Sequence, residues 1–260
     1  MEEVALRVSN VTKLYGKTTV LDSLDFTVHK GSFVTLLGSS GSGKSTLFRC
    51  IAGLETIDSG RIIVFGESVH ELTTTRLRLL RRNTGFIFQQ FNLVKRFTAY
   101  ENVLGACLDG TPFWRVALRN FSRDDRRLAL ECLDCVGMLS YANTPVQRLS
   151  GGQQQRVAVA RALAQKPKII IADEPVSSLD PHTASSVLGT LKIIASESNI
   201  AVLCSLHQVD LAIGVADHII GIKGGRIHLD LANDPEGQAM GNKIASLYER
   251  VIGESEEPDE

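Results

Sequence analysis

The sequence predicts an α/β fold, a mostly parallel sheet covered by helices, with an antiparallel β layer ahead of it and a helical segment inserted into it. Three observations carry that expectation. The first thirty residues are short β-rich pieces broken by Asn, Gly and Asp. Residues 33–52 read as strand, glycine-rich loop and helix, and strand and helix patterns alternate again from residue 151. Between these regions, residues 91–148 lose strand character and become helical and mixed in polarity.

In order, Val4–Val8, Val11–Gly16, Thr19–Leu21 and Leu24–Val28 supply the β layer. Phe33–Leu37 is a short strand of the buried type, and Gly38-Ser39-Ser40-Gly41-Ser42-Gly43-Lys44-Ser45-Thr46 follows it into a helix running to Ala52. A loop in that position lies at a helix N-terminus, where unpaired N–H groups and the positive end of the dipole favour an anion. Gly38, Gly41 and Gly43 permit backbone angles and close approach that a side chain forbids. Lys44 then reaches the β- and γ-phosphates of a nucleotide and Ser45 offers a hydroxyl to Mg²⁺. The full G-x-x-x-x-G-K-S spacing in a strand-loop-helix context separates this stretch from a glycine turn that happens to precede a lysine.

Gly60–Gly66 reads as one more strand of the β layer, with turns at Ser59-Gly60 and Gly66-Glu67. Residues 71–83 form an amphipathic helix carrying Arg76, Arg78, Arg81 and Arg82, a solvated face rather than a nucleic-acid patch. Gly85–Phe88 is a buried-type strand ending on Gln89-Gln90. The insertion, a helical subdomain over about residues 91–150, has helical patterns at Ala99–Leu104 and Asp124–Leu130. It also holds Trp114, in Gly110–Arg115, as a core anchor or part of a docking surface. Beyond it come a helix through Arg161–Ala164, a strand at Ile169–Ala172, a helix over Ser185–Ala195 and a strand at Ile200–Cys204. One domain spanning residues 1–252 is expected, followed by an acidic, disordered tail at 253–260.

With 260 residues, 43% of them hydrophobic, the chain can bury a substantial core. Its formal net charge of −1 lacks the basic excess that general nucleic-acid binding needs, so no nucleic-acid partner is expected. No stretch approaches the ~18 uninterrupted apolar residues of a membrane-spanning helix, and Met-Glu-Glu-Val does not open a signal peptide. A soluble, cytoplasmic protein is expected. Five cysteines, an odd number and scattered, argue against a disulfide framework. Cys132-Leu133-Asp134-Cys135 reads as two small side chains on a helix, there being no second pair at metal spacing.

Two further stretches complete the chemistry. Four apolar residues lead into Asp173-Glu174, which places two carboxylates at the carboxyl end of a buried strand, where α/β sheets put their ligands. Asp173 suits the Mg²⁺ shell, and Glu174 is placed to orient or deprotonate the water that attacks the γ-phosphate. Leu149-Ser150-Gly151-Gly152-Gln153 is a second glycine turn that opens a helix, hence a second anion site by the same dipole argument.

That last stretch resembles the LSGGQ signature of the ATP-binding-cassette (ABC) family, and the resemblance extends over nearly the whole chain. It implies a P-loop NTPase fold of the ABC type, a RecA-like core with an N-terminal antiparallel β layer and an inserted helical subdomain. It also implies ATP and Mg²⁺ as cofactors and a head-to-tail homodimer, in which Leu149, Ser150, Gly151, Gly152 and Gln153 of one copy cover the nucleotide on the other copy's loop. Tyr15 falls where the family stacks an aromatic ring on adenine, and Gln89 matches the glutamine that senses Mg²⁺ and γ-phosphate. Ser178-Leu179-Asp180 resembles the D-loop that crosses the dimer interface, and His207 matches the switch histidine that contacts the γ-phosphate.

Within the family, Phe86–Val94, Thr111–Arg115 and Leu206-His207-Gln208-Val209-Asp210 look like the ATP-binding subunit of bacterial phosphonate importers. This implies a peripheral ATPase on the cytoplasmic face of the inner membrane, bound to integral membrane permease subunits and served indirectly by a periplasmic phosphonate-binding protein. Residues 91–100 are the expected permease contact. The alternatives are a cassette for phosphate, polar amino acids or lipoprotein release, a nucleic-acid-directed ABC ATPase, and a non-hydrolysing regulatory module. The second lacks the sustained heptads of a coiled-coil insertion, and the third is disfavoured by the presence of Glu174 and His207.

Overall fold

Strand alternation sorts the apolar side chains into two cores on opposite faces of one sheet. In the strand Ile169–Ala172, Ile169 and Ile171 join one core while Ile170 and Ala172 join the other. The same division splits Val34 and Leu36 from Phe33 and Leu37 in the strand Phe33–Leu37. Both strands are buried throughout, as expected of a parallel sheet covered on both faces.

The structure, a computed structural model, describes residues 3–88, 92–108, 121–177 and 179–232. Gln89, Phe91, Ser178, Trp114 with its neighbours 111–115, and the acidic tail at 253–260 lie outside those residues. β1 (Val4–Tyr15) and β2 (Thr18–His29) form a long antiparallel hairpin, joined through β4 (Ser59–Val64) to β5 (Glu67–Ser68) in the order β2-β1-β4-β5. The second sheet has the order β10-β9-β3-β8-β7-β6, built from β3 (Phe33–Leu37), β6 (Thr84–Ile87), β7 (Ile169–Ala172), β8 (Ala201–Leu206), β9 (His218–Lys223) and β10 (Arg226–Ala232). Its strands β9 to β6 run parallel, and β10 closes the edge antiparallel to β9. Leu37 lies opposite Leu206, and Ala172 lies opposite both Cys204 and Ile87, so the carboxyl ends of β3, β8, β7 and β6 share one edge.

The helices are α1 (Lys44–Ile51), α2 (Thr74–Arg82), α3 (Ala99–Leu104), α4 (Arg123–Cys135), α5 (Gly151–Ala164), α6 (Pro181–Glu197) and α7 (Val209–Val215). Residues of α3 and α4 pack with those of α5 into the core that also holds Phe33, Leu37 and Ile87. Leu47, Phe48 and Ile51 of α1 face the other core, with the β1–β2 layer. Among the described residues, no helix is long and apolar enough to cross a membrane.

Several expected elements shift at their edges, the strands at Gly60–Gly66 and Gly85–Phe88 to Ser59–Val64 and Thr84–Ile87 among them. The helix expected over 71–83 begins at Thr74, because the Thr73 hydroxyl accepts the Arg76 N–H and residues 69–71 form a separate 3-10 turn. The helix expected from Ser185 starts at Pro181, with Asp180 as its cap and proline in its first turn. The strand expected at Ile200–Cys204 runs instead over Ala201–Leu206. Sequence reasoning passed over α7, β9 and β10, although Ile219-Ile220 and the Gly224-Gly225 turn were signals for the hairpin.

The arginines of α2 have structural work. Arg81 donates to the carbonyls of Ala52 (2.9 Å) and Gly53 (2.8 Å), satisfying the end of α1, and Arg76 pairs with Glu67 at 2.8 Å. Cys132 and Cys135 lie in the last turn of α4. Cys132 is buried, which pushes its thiol up to about 12, while Cys135 is exposed. Among the described residues, no group of three or more His, Cys, Asp or Glu side chains converges as a metal cage.

Candidate active site

The loop after β3 leaves backbone amides unpaired at the start of α1. Gly43, at φ 103°, is the N-cap of α1 and brings no side chain to its first turn. The amides of Gly41, Gly43, Lys44, Ser45 and Thr46 consequently have no acceptor among the described residues. The three glycines divide the work. A Cβ on Gly38 would stand 2.5 Å from the Ile222 carbonyl oxygen, and one on Gly43 2.7 Å from that of Val20. Those two glycines let β9 and β2 pass against the loop. Gly41, at φ 81°, has nothing within 4 Å of its missing side chain, so its backbone faces open space.

Lys44 is folded into the loop it serves. Its ammonium donates to the carbonyls of Gly38 (2.7 Å) and Ser39 (2.9 Å) and to Ser42 Oγ (3.3 Å). Burial lowers its pKa, opposed by the carboxylates of Glu174 and Asp173 across the site.

Those carboxylates sit where β7 ends. The Asp173 N–H still pairs with β6, donating to Ile87 O at 2.9 Å, whereas Glu174 turns away with φ 48°. The Glu174 N–H donates to Ser205 Oγ (2.8 Å), and the Ser205 hydroxyl donates to Asp173 Oδ1 (2.9 Å). His207, just past β8, brings Nε2 to 2.5 Å from Glu174 Oε1. Ser45 and Asp173 line a common cleft of about 260 Å³, walled by Phe48, Leu54, Phe86 and Phe88. Ser205 was not among the sequence candidates; its signal was a hydroxyl in a strand otherwise of apolar and thiol side chains.

A different neighbourhood surrounds residues 149–153. Ser150 Oγ accepts the Gln153 N–H (3.3 Å) and Gln153 Oε1 accepts the Ser150 N–H (2.9 Å), a reciprocal cap on α5. Gly152 lies against α6, a Cβ there standing 3.1 Å from the Thr183 methyl. Ser150, Gly151, Gly152 and Gln153 share a cleft of about 420 Å³ with Tyr141, Leu179 and Asp180, and no phosphate-loop residue lines it. Leu149 is buried and its carbonyl accepts from Gln154. Asp180 accepts the Thr183 N–H at 3.0 Å, and hydrogen bonding with Thr183 holds its carboxyl below the usual range. Tyr15, exposed at the end of the β1–β2 hairpin, has Lys13 Nζ 5.2 Å from its ring centroid.

The structure thus brings residues 38–46, Asp173, Glu174 and His207 to one sheet edge and leaves the 149–153 group with Asp180 elsewhere. An uncapped glycine loop beside a carboxylate-histidine pair is an arrangement that fits phosphate binding and proton transfer, as in nucleotide-hydrolysing proteins of the phosphate-loop class. Residues 21–177 match the model of the ABC transporter family, and the chain belongs to that family as an ATP-binding ATPase. It is 66% identical over 253 residues to the hypophosphite import ATP-binding protein of Stutzerimonas stutzeri, covering 97% of this chain and 73% of that protein. To the phosphonates import ATP-binding protein of Frankia casuarinae it is 50% identical over 228 residues, 88% of this chain and 90% of that one. A dimeric ATP-binding cassette in a post-hydrolysis state with ADP and Pi superposes with a TM-score of 0.77 at 34% identity, covering 88% of this chain and 99% of that chain.

Proposed function

We propose that the chain is the ATP-hydrolysing subunit of an importer of reduced-phosphorus oxyanions, the class that holds phosphonate and hypophosphite. It works as a head-to-tail dimer bound to membrane permease subunits on the cytoplasmic face. The observation that carries the hydrolytic part is the Glu174–His207 contact of 2.5 Å at the sheet edge shared with the phosphate loop. The substrate class rests on likeness to the phosphonate and hypophosphite import proteins.

In this reading the uncommitted amides of Gly41 and of residues 43–46, with the Lys44 ammonium, bind the β- and γ-phosphates, and Tyr15 stacks on adenine. Ser45 and Asp173 are hard oxygen donors on one cleft, which fits Mg²⁺ held by one or two side chains plus phosphate oxygens. Mg²⁺, when bound, neutralises charge on those oxygens. Gln89 would complete that set. Glu174 accepts a proton from the attacking water while His207 holds the Glu174 carboxylate and faces the γ-phosphate. Ser150, Gly151 and Gly152 of the partner copy close the nucleotide from the other side, in the cleft they share with Leu179 and Asp180. ATP favours the closed dimer only through those contacts made across it.

Permease docking is assigned to the cleft mouth, where Leu54 is 57% and Phe88 37% exposed, together with exposed Val94 and Phe97 within residues 91–100. The reading is tested by reconstituting the chain with its neighbouring permease and binding protein in proteoliposomes. Uptake driven by ATP is expected for phosphonate or hypophosphite. Uptake confined to phosphate or to amino acids would replace the substrate class and leave the ATPase assignment standing.

A further inference from the structure

Ser205 is fully buried in β8, and a hydroxyl in that position is kept at low cost only when it is hydrogen-bonded. It makes two such bonds, and both go to the carboxylate pair. It accepts from the Glu174 N–H at 2.8 Å and donates to Asp173 Oδ1 at 2.9 Å. Successive amides are therefore drawn to opposite sides of β7: that of Asp173 to Ile87 on β6, that of Glu174 to Ser205 on β8. Directly after the amide that Ser205 anchors, Glu174 adopts φ 48°, a left-handed conformation disfavoured for any residue with a Cβ. From this backbone its carboxylate meets His207.

We propose that Ser205 is a positioning residue for ATP hydrolysis. Its hydroxyl holds the left-handed turn that aims the Glu174 carboxylate, and its donated bond fixes one oxygen of Asp173 so that the other faces the cleft shared with Ser45. Being fully buried, it acts through Glu174 and Asp173 and touches no nucleotide. The inference rests on the reading of Glu174 as the general base.

Two substitutions separate hydrogen bonding from packing. Ser205→Ala removes the hydroxyl, and Ser205→Cys keeps a side chain of similar volume with a weak donor and acceptor. Both are expected to lower kcat about tenfold, the loss of roughly one well-placed hydrogen bond, with KM for ATP within about twofold of wild type. Both should also speed hydrogen exchange at the Glu174 amide, a readout independent of turnover. Wild-type kcat in Ser205→Cys, a change confined to KM, or unaltered exchange at Glu174 in either variant overturns the proposal. Glu174→Gln, assayed alongside, keeps the two questions apart. If it turns over normally, the base assignment fails, whereas its inactivity beside wild-type Ser205 variants defeats only the positioning role.

Discussion

Two helices of this chain open on glycine turns, α1 at Gly43 and α5 at Gly151-Gly152, and the chain builds their N-termini differently. At α1 the cap is Gly43, with no side-chain hydrogen bond, and consecutive amides are left for a ligand. At α5 the cap is Ser150, locked reciprocally with Gln153, so two of the orphan donors are already satisfied by the protein itself. Among the described residues, only the Gly151 and Gly152 amides of that first turn have no acceptor. The two helix dipoles are alike, but the donors available at their N-termini are not. The loop at α1 offers a run of amides unpaired among the described residues, while the turn at α5 is already capped and has two left to offer. Setting follows the same division. The loop is wedged between β2 and β9 where two glycines admit them, and the signature lies on an open cleft shared with the start of α6.

The largest effect that sharpens this comparison belongs to the carboxylate beside the loop. Glu174→Gln should lower turnover by roughly 10²–10⁴, the range for a general base, while ATP still binds and the dimer accumulates. A variant that stays monomeric in light scattering at saturating ATP would contradict the shared site. Next, Lys44→Ala should weaken ATP binding by the isolated chain by roughly 10² or more, since each hydrogen bond to a charged group is worth about 1.5–3 kcal/mol. Tyr15→Ala should cost less, about 1–3 kcal/mol of stacking, and equal losses in a nucleotide titration would remove the triphosphate from its leading place.

Smaller effects probe the signature side. Ser150→Ala should cost about 1 kcal/mol of helix capping and lower the melting temperature by roughly 2–4 °C. Turnover should fall while ATP affinity of the monomer is unchanged. If monomer affinity drops as far as in Lys44→Ala, the two halves are not separate sites. The least effect concerns Asp180, whose folded pKa is depressed by hydrogen bonding with Thr183. A carboxyl depressed in this way stabilises the fold above its unfolded value of about 3.9 and loses that contribution as pH falls through the folded value. Asp180→Asn keeps a capping side chain that does not titrate. The stability difference between the two proteins, followed by acid denaturation, should therefore persist above about pH 4 and shrink below it.

Most of this site was legible in sequence because its parts are local. Gly38 to Thr46 carries its strand, its turn and its helix within one stretch, and Asp173-Glu174 announces itself at the end of an apolar run. Ser205 was illegible because one hydroxyl in a strand has no spacing signature. Only the pairing of β7 with β8 puts it between the two carboxylates. The self-capping of Ser150 is legible in the Gln at the third helical position, a capping-box pattern that overlaps the glycine turn. Helix α7 and the β9–β10 hairpin were passed over although apolar runs and a Gly-Gly turn marked them.

The sequence by itself determined the chemistry: a phosphate loop, a carboxylate pair, a histidine and a second glycine turn, in an order that already resembled one family. Tertiary structure decided which of these meet. Parallel pairing of β3, β8, β7 and β6 sets the loop, His207 and Glu174 on one edge, since the ends of adjacent parallel strands converge however far apart they lie in the chain. The same packing holds the signature turn in its own cleft against α6, and so separates within one chain the two halves that the sequence had set side by side as equivalent anion sites.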